Sequence, residues 1–245
     1  MTNGKPIIVI SQQRSGSNLL EGYLNQIAGI VAFSEIFRSH ETPGVQLLAR
    51  KAGVTERRME RLAELQHSDP VAFWRALQRV ASNHGLRPAA KIFYNHVPRE
   101  SGLWTAFEKA KILHLVRENV LAALVSRELV NRFGKWKTKT YQSSYDAEAV
   151  AIPRERCERF IADLGANIAW TRQRYSALDY CELRYAEIEE IEGAQIALTR
   201  ILGEPVTLEK PAIARQRQRP LSEIVSNYAE VAEFDRDFPL TQAQT

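Results

Sequence analysis

Along this chain, short apolar runs take turns with longer stretches of helical spacing. "PIIVIS" (residues 6–11) is a β-branched run of the kind buried on both faces of a sheet. Behind it Leu19, Leu20, Tyr23, Leu24 and Ile27 recur on one helical face. "IVAFSEIF" (30–37) predicts a second short strand running into a turn. Helix is expected from about Pro43 to Gly85, with Ser68-Asp69-Pro70 marking a helix start inside it. "RPAAKIFYNHV" (87–97) carries a third strand and "GLWTAFEKA" a short helix. "KILHLVR" (111–117) is a fourth strand. "NVLAALVSRELVNRF" is helical, with Val120, Leu121, Leu124, Val125 and Leu129 on its buried side. "GKWKTKTYQSSYDAEAV" is basic, aromatic and less periodic, as a loop or lid would be. A long helix opened by Pro153 follows, then a fifth strand in "DYCELRYAEI" and a helix over "EGAQIALTRILGE". The tail is Arg-rich and then weakly helical.

Strands alternating with helices predict an α/β fold, a parallel sheet flanked by helices on both faces. The whole chain, 1–245, reads as one domain with a helical insert around 40–86. Ligands of such sheets bind beyond the carboxyl ends of the strands. Arg14, Glu35, His96 and Arg117, which follow four of the strands, are therefore expected to meet in space.

Composition changes this picture little. The 245 residues are 44% hydrophobic and 25% charged, ordinary for a globular protein, and 245 residues can bury one large core. A net charge of +4 suits an anionic ligand but does not by itself argue for nucleic acid. The two cysteines, Cys157 and Cys181, form no CxxC or Cys/His cluster, so neither a disulfide framework nor a metal site is expected. The first residues lack the apolar core of a signal peptide, and no window approaches 18 uninterrupted apolar residues. A cytoplasmic protein without a membrane span is the expectation.

The most informative segment joins the first strand to the first helix: "QQRSGSN" (12–18). A strand–turn–helix link gathers backbone N–H groups at a helix N-terminus, where the helix dipole favours an anion. Gly16 permits unusual φ/ψ, Ser15 and Ser17 offer hydroxyls, and Arg14 offers a guanidinium fork. The link reads as a phosphate or sulfate cradle, or as a serine-capped helix with Arg14 facing solvent. The GxxxxGK[ST] loop of nucleotide hydrolases is absent throughout. A second arginine, Arg117, stands at the end of the fourth strand with Ser126 nine residues later on the following helix. Together they could hold a second anion.

Read together, these segments resemble sulfotransferases that use 3′-phosphoadenosine 5′-phosphosulfate (PAPS), most closely the bacterial carbohydrate enzymes of the trehalose and nodulation-factor type. The likeness runs in order through "QQRSGSN", "SEIF", "AAKIFYNH", "LHLVRENVLAALVSREL", "GKW" and "LRYAEI". It implies a P-loop-like nucleotide fold and PAPS as donor, with the bisphosphate PAP as product and no metal. The cradle, Arg14, Ser15, Gly16, Ser17 and Asn18, would grip the 5′-phosphosulfate. Arg117 and Ser126 would hold the 3′-phosphate. Arg215 and Arg217, beside Arg219, match a basic loop that closes over the nucleotide, although alternating arginines also suit an exposed loop. Glu35 stands where the trehalose enzyme carries its base, with a turn-capping role as the alternative.

Sulfuryl transfer, by analogy with phosphoryl transfer, is an in-line displacement governed by positioning and charge stabilisation. It needs cations and N–H donors on the leaving phosphate, a polar contact to the sulfuryl oxygens, and a base for the acceptor hydroxyl. Arg14 suits the first, Lys91 the second or the acceptor side, and Glu35 the third, with His96 and then His40 as other candidate bases. Lys135, Trp136, Lys137, Lys139 and Tyr141 could line an acceptor site, since aromatic faces beside polar groups suit a sugar ring. The expected partner is a small-molecule or glycan acceptor rather than nucleic acid. Two other readings stay open on the residues alone: an atypical nucleotide kinase or phosphotransferase, and a polyanion-binding module.

Overall fold

The computed structural model describes residues 4–38, 55–133, 149–211 and 219–238. Five strands form one all-parallel sheet: β1 (Ile7–Ser11), β2 (Ile30–Phe33), β3 (Arg87–Phe93), β4 (Lys111–Val116) and β5 (Tyr180–Arg184). Their order is β2-β3-β1-β4-β5, so the first strand is central, and Val9 pairs with Lys91 on one side and Leu113 on the other. Helices cover both faces of this α/β, P-loop-like fold, which is why the central strands read as continuous apolar runs. Ile8, Ile10, Phe33, Ile92 and Ile112 pack on Phe73, Trp74 and Leu77 of α3 (Pro70–Asn83). Val9, Ala32, Ala89 and Leu115 face the other way, onto Leu20, Tyr23 and Leu24 of α1 (Ser17–Leu24).

The described part of the expected 43–85 helical region is two helices. They are α2 (Glu56–Ser68) and α3, and they part at Asp69, whose side chain accepts the Val71 and Ala72 N–H groups at 3.1 and 2.9 Å. α4 (Gly102–Ala106) and a short 3₁₀ turn lead into β4. α5 (Val120–Phe133) buries the five apolar residues expected of it. α6 (Arg154–Tyr175) begins right after Pro153, α7 (Tyr185–Glu189) follows β5 directly, and α8 (Ile191–Leu202) completes the main helices. The tail carries α9 (Leu221–Ile224) and α10 (Tyr228–Val231), whose residues Leu221, Ile224 and Val231 pack on α5. No helix among the described residues is long and apolar enough to cross a membrane.

One strand is shorter than its pattern suggests. "DYCELRYAEI" leaves the sheet at Arg184, and Tyr185–Glu189 is helical. The Glu187 carboxylate accepts the Arg184 N–H at 2.7 Å, half of a capping box, and starts a helix where apolar alternation alone suggested more strand.

A polar chain fastens α6 to the sheet. His114 on β4 is fully buried, with Nε2 2.6 Å from the Tyr94 hydroxyl and Nδ1 2.7 Å from the Tyr180 hydroxyl. Tyr180 donates to Glu182 at 2.8 Å, and Arg172 donates to both Glu182 oxygens at 2.9 and 2.6 Å. Burial alone would raise the Glu182 carboxyl, but hydrogen bonds from His114, Arg172 and Tyr180 outweigh it and hold the group well below the usual carboxylate range.

Candidate active site

The link between β1 and α1 is a tight turn with two left-handed residues, Arg14 (φ 67°) and Gly16 (φ 91°). Gly16 is required there twice over. Its φ lies in the region side chains avoid, and a Cβ would sit 2.4 Å from a ring carbon of Tyr185. Gly16 then accepts the Leu19 and Leu20 N–H groups at 2.9 and 3.2 Å as α1 begins. The first N–H groups of that helix point out of its end, as in any helix. Ser15 is fully buried and its hydroxyl has no protein partner, and the same holds for the amide nitrogen of Gln12. A turn lined with unmatched buried donors at a helix N-terminus is suited to an anion.

The second arginine meets this turn. Arg117 Nη1 donates to the Arg14 carbonyl at 3.0 Å, and its guanidinium lies 4.6 Å from the centre of the Tyr185 ring. Arg14 Nε donates to Ser126 Oγ at 3.0 Å. Arg14, Arg117 and Ser126 thus form one cluster, brought together from the ends of β1 and β4 and from α5. A serine oxygen that accepts from Arg14 still has its own hydroxyl proton to give to another oxygen.

Lys91 organises the other half of the site. It is 2% exposed, on β3 beneath α1. Its Nζ donates to Asn18 Oδ1 at 2.6 Å and Glu21 Oε2 at 3.0 Å, and stands 3.8 Å from Glu35 Oε1. Asn18 and Glu21 are three residues apart, so both hang from one side of α1. Glu35 follows β2, and its second oxygen lies 3.6 Å from Arg38 and 3.7 Å from His96 Nε2. Among the described residues, the cations against Glu35 are thus Lys91 and Arg38. Its carboxylate faces these groups and caps no helix described here.

His96 has a defined role in this arrangement. Its Nδ1 accepts the Phe93 N–H at 3.3 Å, which places the ring proton on Nε2, facing Glu35. Burial first, then the Arg38 and Lys91 cations, pushes the imidazole down to about 4. A neutral ring whose one lone pair is engaged by an amide is poorly arranged to take a proton.

Of the residues singled out from sequence, Arg14, Ser15, Gly16, Ser17, Arg117 and Ser126 adjoin the cradle, while Glu35, Lys91 and His96 form the neighbouring group. Asn18 links the two, since its carbonyl oxygen engages Lys91. His40, Lys135, Trp136, Lys137, Lys139, Tyr141, Arg215 and Arg217 lie outside the described residues. Arg219 is described, and pairs with Glu223 of the short helix that follows it, at 2.9 Å. Sequence reasoning missed Gln12, Glu21 and the cradle-covering role of Tyr185. No local signal marked Glu21, because its partner Lys91 lies 70 residues away in the chain.

The fold and this site define an α/β protein with a turn after β1 suited to an anion and a carboxylate two strands away. Residues 6–206 match the family model described as "Sulfotransferase family", and the chain belongs to that family, whose members transfer sulfuryl groups. A comparison with curated protein sequences found no match. Among solved structures, the chain is similar to a sulfotransferase from Alicyclobacillus acidocaldarius, at 15% identity and a TM-score of 0.49, covering 96% of this chain and 93% of that one. It is also similar to a sulfotransferase from Mycobacterium avium, at 12% identity and a TM-score of 0.48, covering 96% and 76%. A third similar structure is a shikimate kinase from Bacteroides thetaiotaomicron, at 11% identity and a TM-score of 0.41, covering 81% and 98%. Family membership rests on the sequence match.

Proposed function

We propose that this protein transfers a sulfuryl group from PAPS to a hydroxyl of a carbohydrate or glycolipid acceptor. The observation that carries the reading is the Arg14–Ser126–Arg117 cluster, joined at one end of the sheet to a carboxylate, Glu35, within reach of Lys91. The site fits such a donor. The buried Ser15 hydroxyl and Gln12 amide have no protein partner, and Gly16 leaves no room for a side chain between the turn and Tyr185. The carbohydrate acceptor rests on the resemblance of "QQRSGSN" and "SEIF" to the bacterial carbohydrate enzymes.

Bound PAPS would supply a sulfuryl group carried on a phosphate leaving group. Arg14 and the first N–H groups of α1 hold the 5′ end and take up the charge that develops there. Arg117 and Ser126 hold the 3′-phosphate. Glu35 receives the acceptor's hydroxyl proton on its carboxylate, and the His96 N–H faces its other oxygen at 3.7 Å. Lys91, anchored by Asn18 and Glu21, places positive charge next to the reacting group.

Thermal melting with added nucleotides tests the reading. PAP at a hundredfold excess over its dissociation constant should stabilise the fold by about 2.7 kcal/mol. For a chain of this size that is a rise of roughly 5–10 °C. Adenosine 5′-phosphate and ATP should raise it less. Equal stabilisation by ATP, or none by PAP, contradicts the reading.

A further inference from the structure

We infer that Glu21 is a positioning residue of the transfer site: by holding the Lys91 ammonium on α1, it keeps that ammonium from closing onto Glu35. The inference rests on the sulfotransferase reading for its consequence, and on geometry alone for its structural half. Lys91 is almost wholly buried and carries three N–H donors. Two of them go to Asn18 and Glu21 at 2.6 and 3.0 Å. Glu35 stands at 3.8 Å, close enough to feel the charge and too far to be hydrogen-bonded.

That difference matters to the chemistry. A carboxylate hydrogen-bonded directly to an ammonium has its lone pairs engaged and is a weaker proton acceptor. A carboxylate within 4 Å of an ammonium that is anchored elsewhere keeps its lone pairs for the acceptor hydroxyl. Glu21 is what makes the anchor charged. Without it, Asn18 would offer only a neutral amide, and of the two described acceptors the Glu35 carboxylate would be the stronger for a buried cation. Among the described residues, the groups facing Glu35 are Lys91 from β3, His96 from the turn after β3, and Arg38 from its own turn. Gln66 of α2 donates to the neighbouring Ile36 carbonyl at 2.7 Å and brings no charge.

Two measurements on the full chain test this. The first is a crystal structure of Glu21→Gln without nucleotide. Lys91 Nζ is expected within about 3 Å of a Glu35 oxygen, the normal hydrogen-bond range. Lys91 staying at its wild-type separation from Glu35 overturns the inference, whatever the protein binds. If Glu21→Gln does not fold, Glu21→Asp serves instead, and its shorter carboxylate should let Lys91 move part of the way. The second is kinetic, with labelled PAPS and any acceptor that the wild type sulfates. Glu21→Gln should lower kcat by roughly 10- to 100-fold. The KM for PAPS and the affinity for PAP should stay within a few-fold of wild type, and Glu21→Asp should recover part of the loss. A rise in KM for PAPS without a change in kcat overturns the positioning role. Failure of the wild type to bind PAP would instead overturn the sulfotransferase reading and leave the crystallographic test of the Lys91 anchor standing.

Discussion

Arg117 touches the cradle through one N–H and Tyr185 through its flat face, so its guanidinium is fixed before any ligand arrives. If it serves the 3′-phosphate, Arg117→Ala should cost about 1.5–3 kcal/mol in PAP binding. Binding of adenosine 5′-phosphate, measured by calorimetry, should hardly change. Equal loss for both ligands would remove the assignment. Arg14 belongs to the reacting end, and Arg14→Ala should lower turnover about 10²- to 10³-fold at saturating PAPS. His96 offers a pH test. Its folded value near 4 lies below the ordinary 6.5, so the unfolded chain binds the proton first as pH falls. His96 therefore subtracts stability between about pH 6.5 and 4, and His96→Gln should flatten the loss of melting temperature across that window. An unchanged acid profile would mean that the imidazole is not held neutral.

At the scale of elements, Gly16 and the β5–α6 contact make opposite demands. Gly16→Ala forces a left-handed residue with a side chain into the Tyr185 ring. The strain alone is about 1–3 kcal/mol, and melting and PAP binding should fall together. Glu182→Gln removes the charge that ties Arg172, Tyr180 and His114 together, away from the cradle. It should cost about 1.5–3 kcal/mol of stability while PAP affinity in the folded protein stays normal. The sign follows from the depressed carboxyl. Its contribution is complete above the ordinary carboxylate range and is lost as pH falls through the folded value. Most elements were legible because their signals are local: β-branched runs for β1 and β4, and Asp69-Pro70 for the start of α3. The end of β5 was not, because the alternation Cys181, Leu183, Tyr185 carries on past Arg184 while one carboxylate, Glu187, starts a helix. The turn over residues 12–18 was legible for the same reason, lying in one stretch of chain, whereas the placement of Arg14 between Arg117 and Ser126 was not. Glu21 was not, since its partner Lys91 arrives from a strand 70 residues away.

On the scale of the whole molecule, the sheet order decides what can meet. With β1 central between β3 and β4, the turn after β1 can meet Arg117 from β4 while α1 above it reaches Lys91 on β3. The strand β2, beyond β3, delivers Glu35 to the same lysine. A sequence shows that strands alternate with helices, but not which strand is central, so it could name these residues without saying which would touch. The expected pairing of Arg117 with Ser126 became a three-residue cluster with Arg14 between them, and Glu35 is set against Lys91 and Arg38.

The central claim is that this end of the sheet moves a sulfuryl group from PAPS to a hydroxyl with Glu35 as the base. It is tested most directly by supplying the protein with ³⁵S-labelled PAPS and a panel of sugars and glycolipids, and following the label. Wild-type protein is predicted to transfer label to at least one hydroxylated acceptor and to release PAP. Glu35→Gln is predicted to transfer it roughly 10²- to 10⁴-fold more slowly while binding PAP as tightly as wild type. Label that stays on PAPS with every acceptor, or a Glu35→Gln variant that transfers at the wild-type rate, would contradict the account.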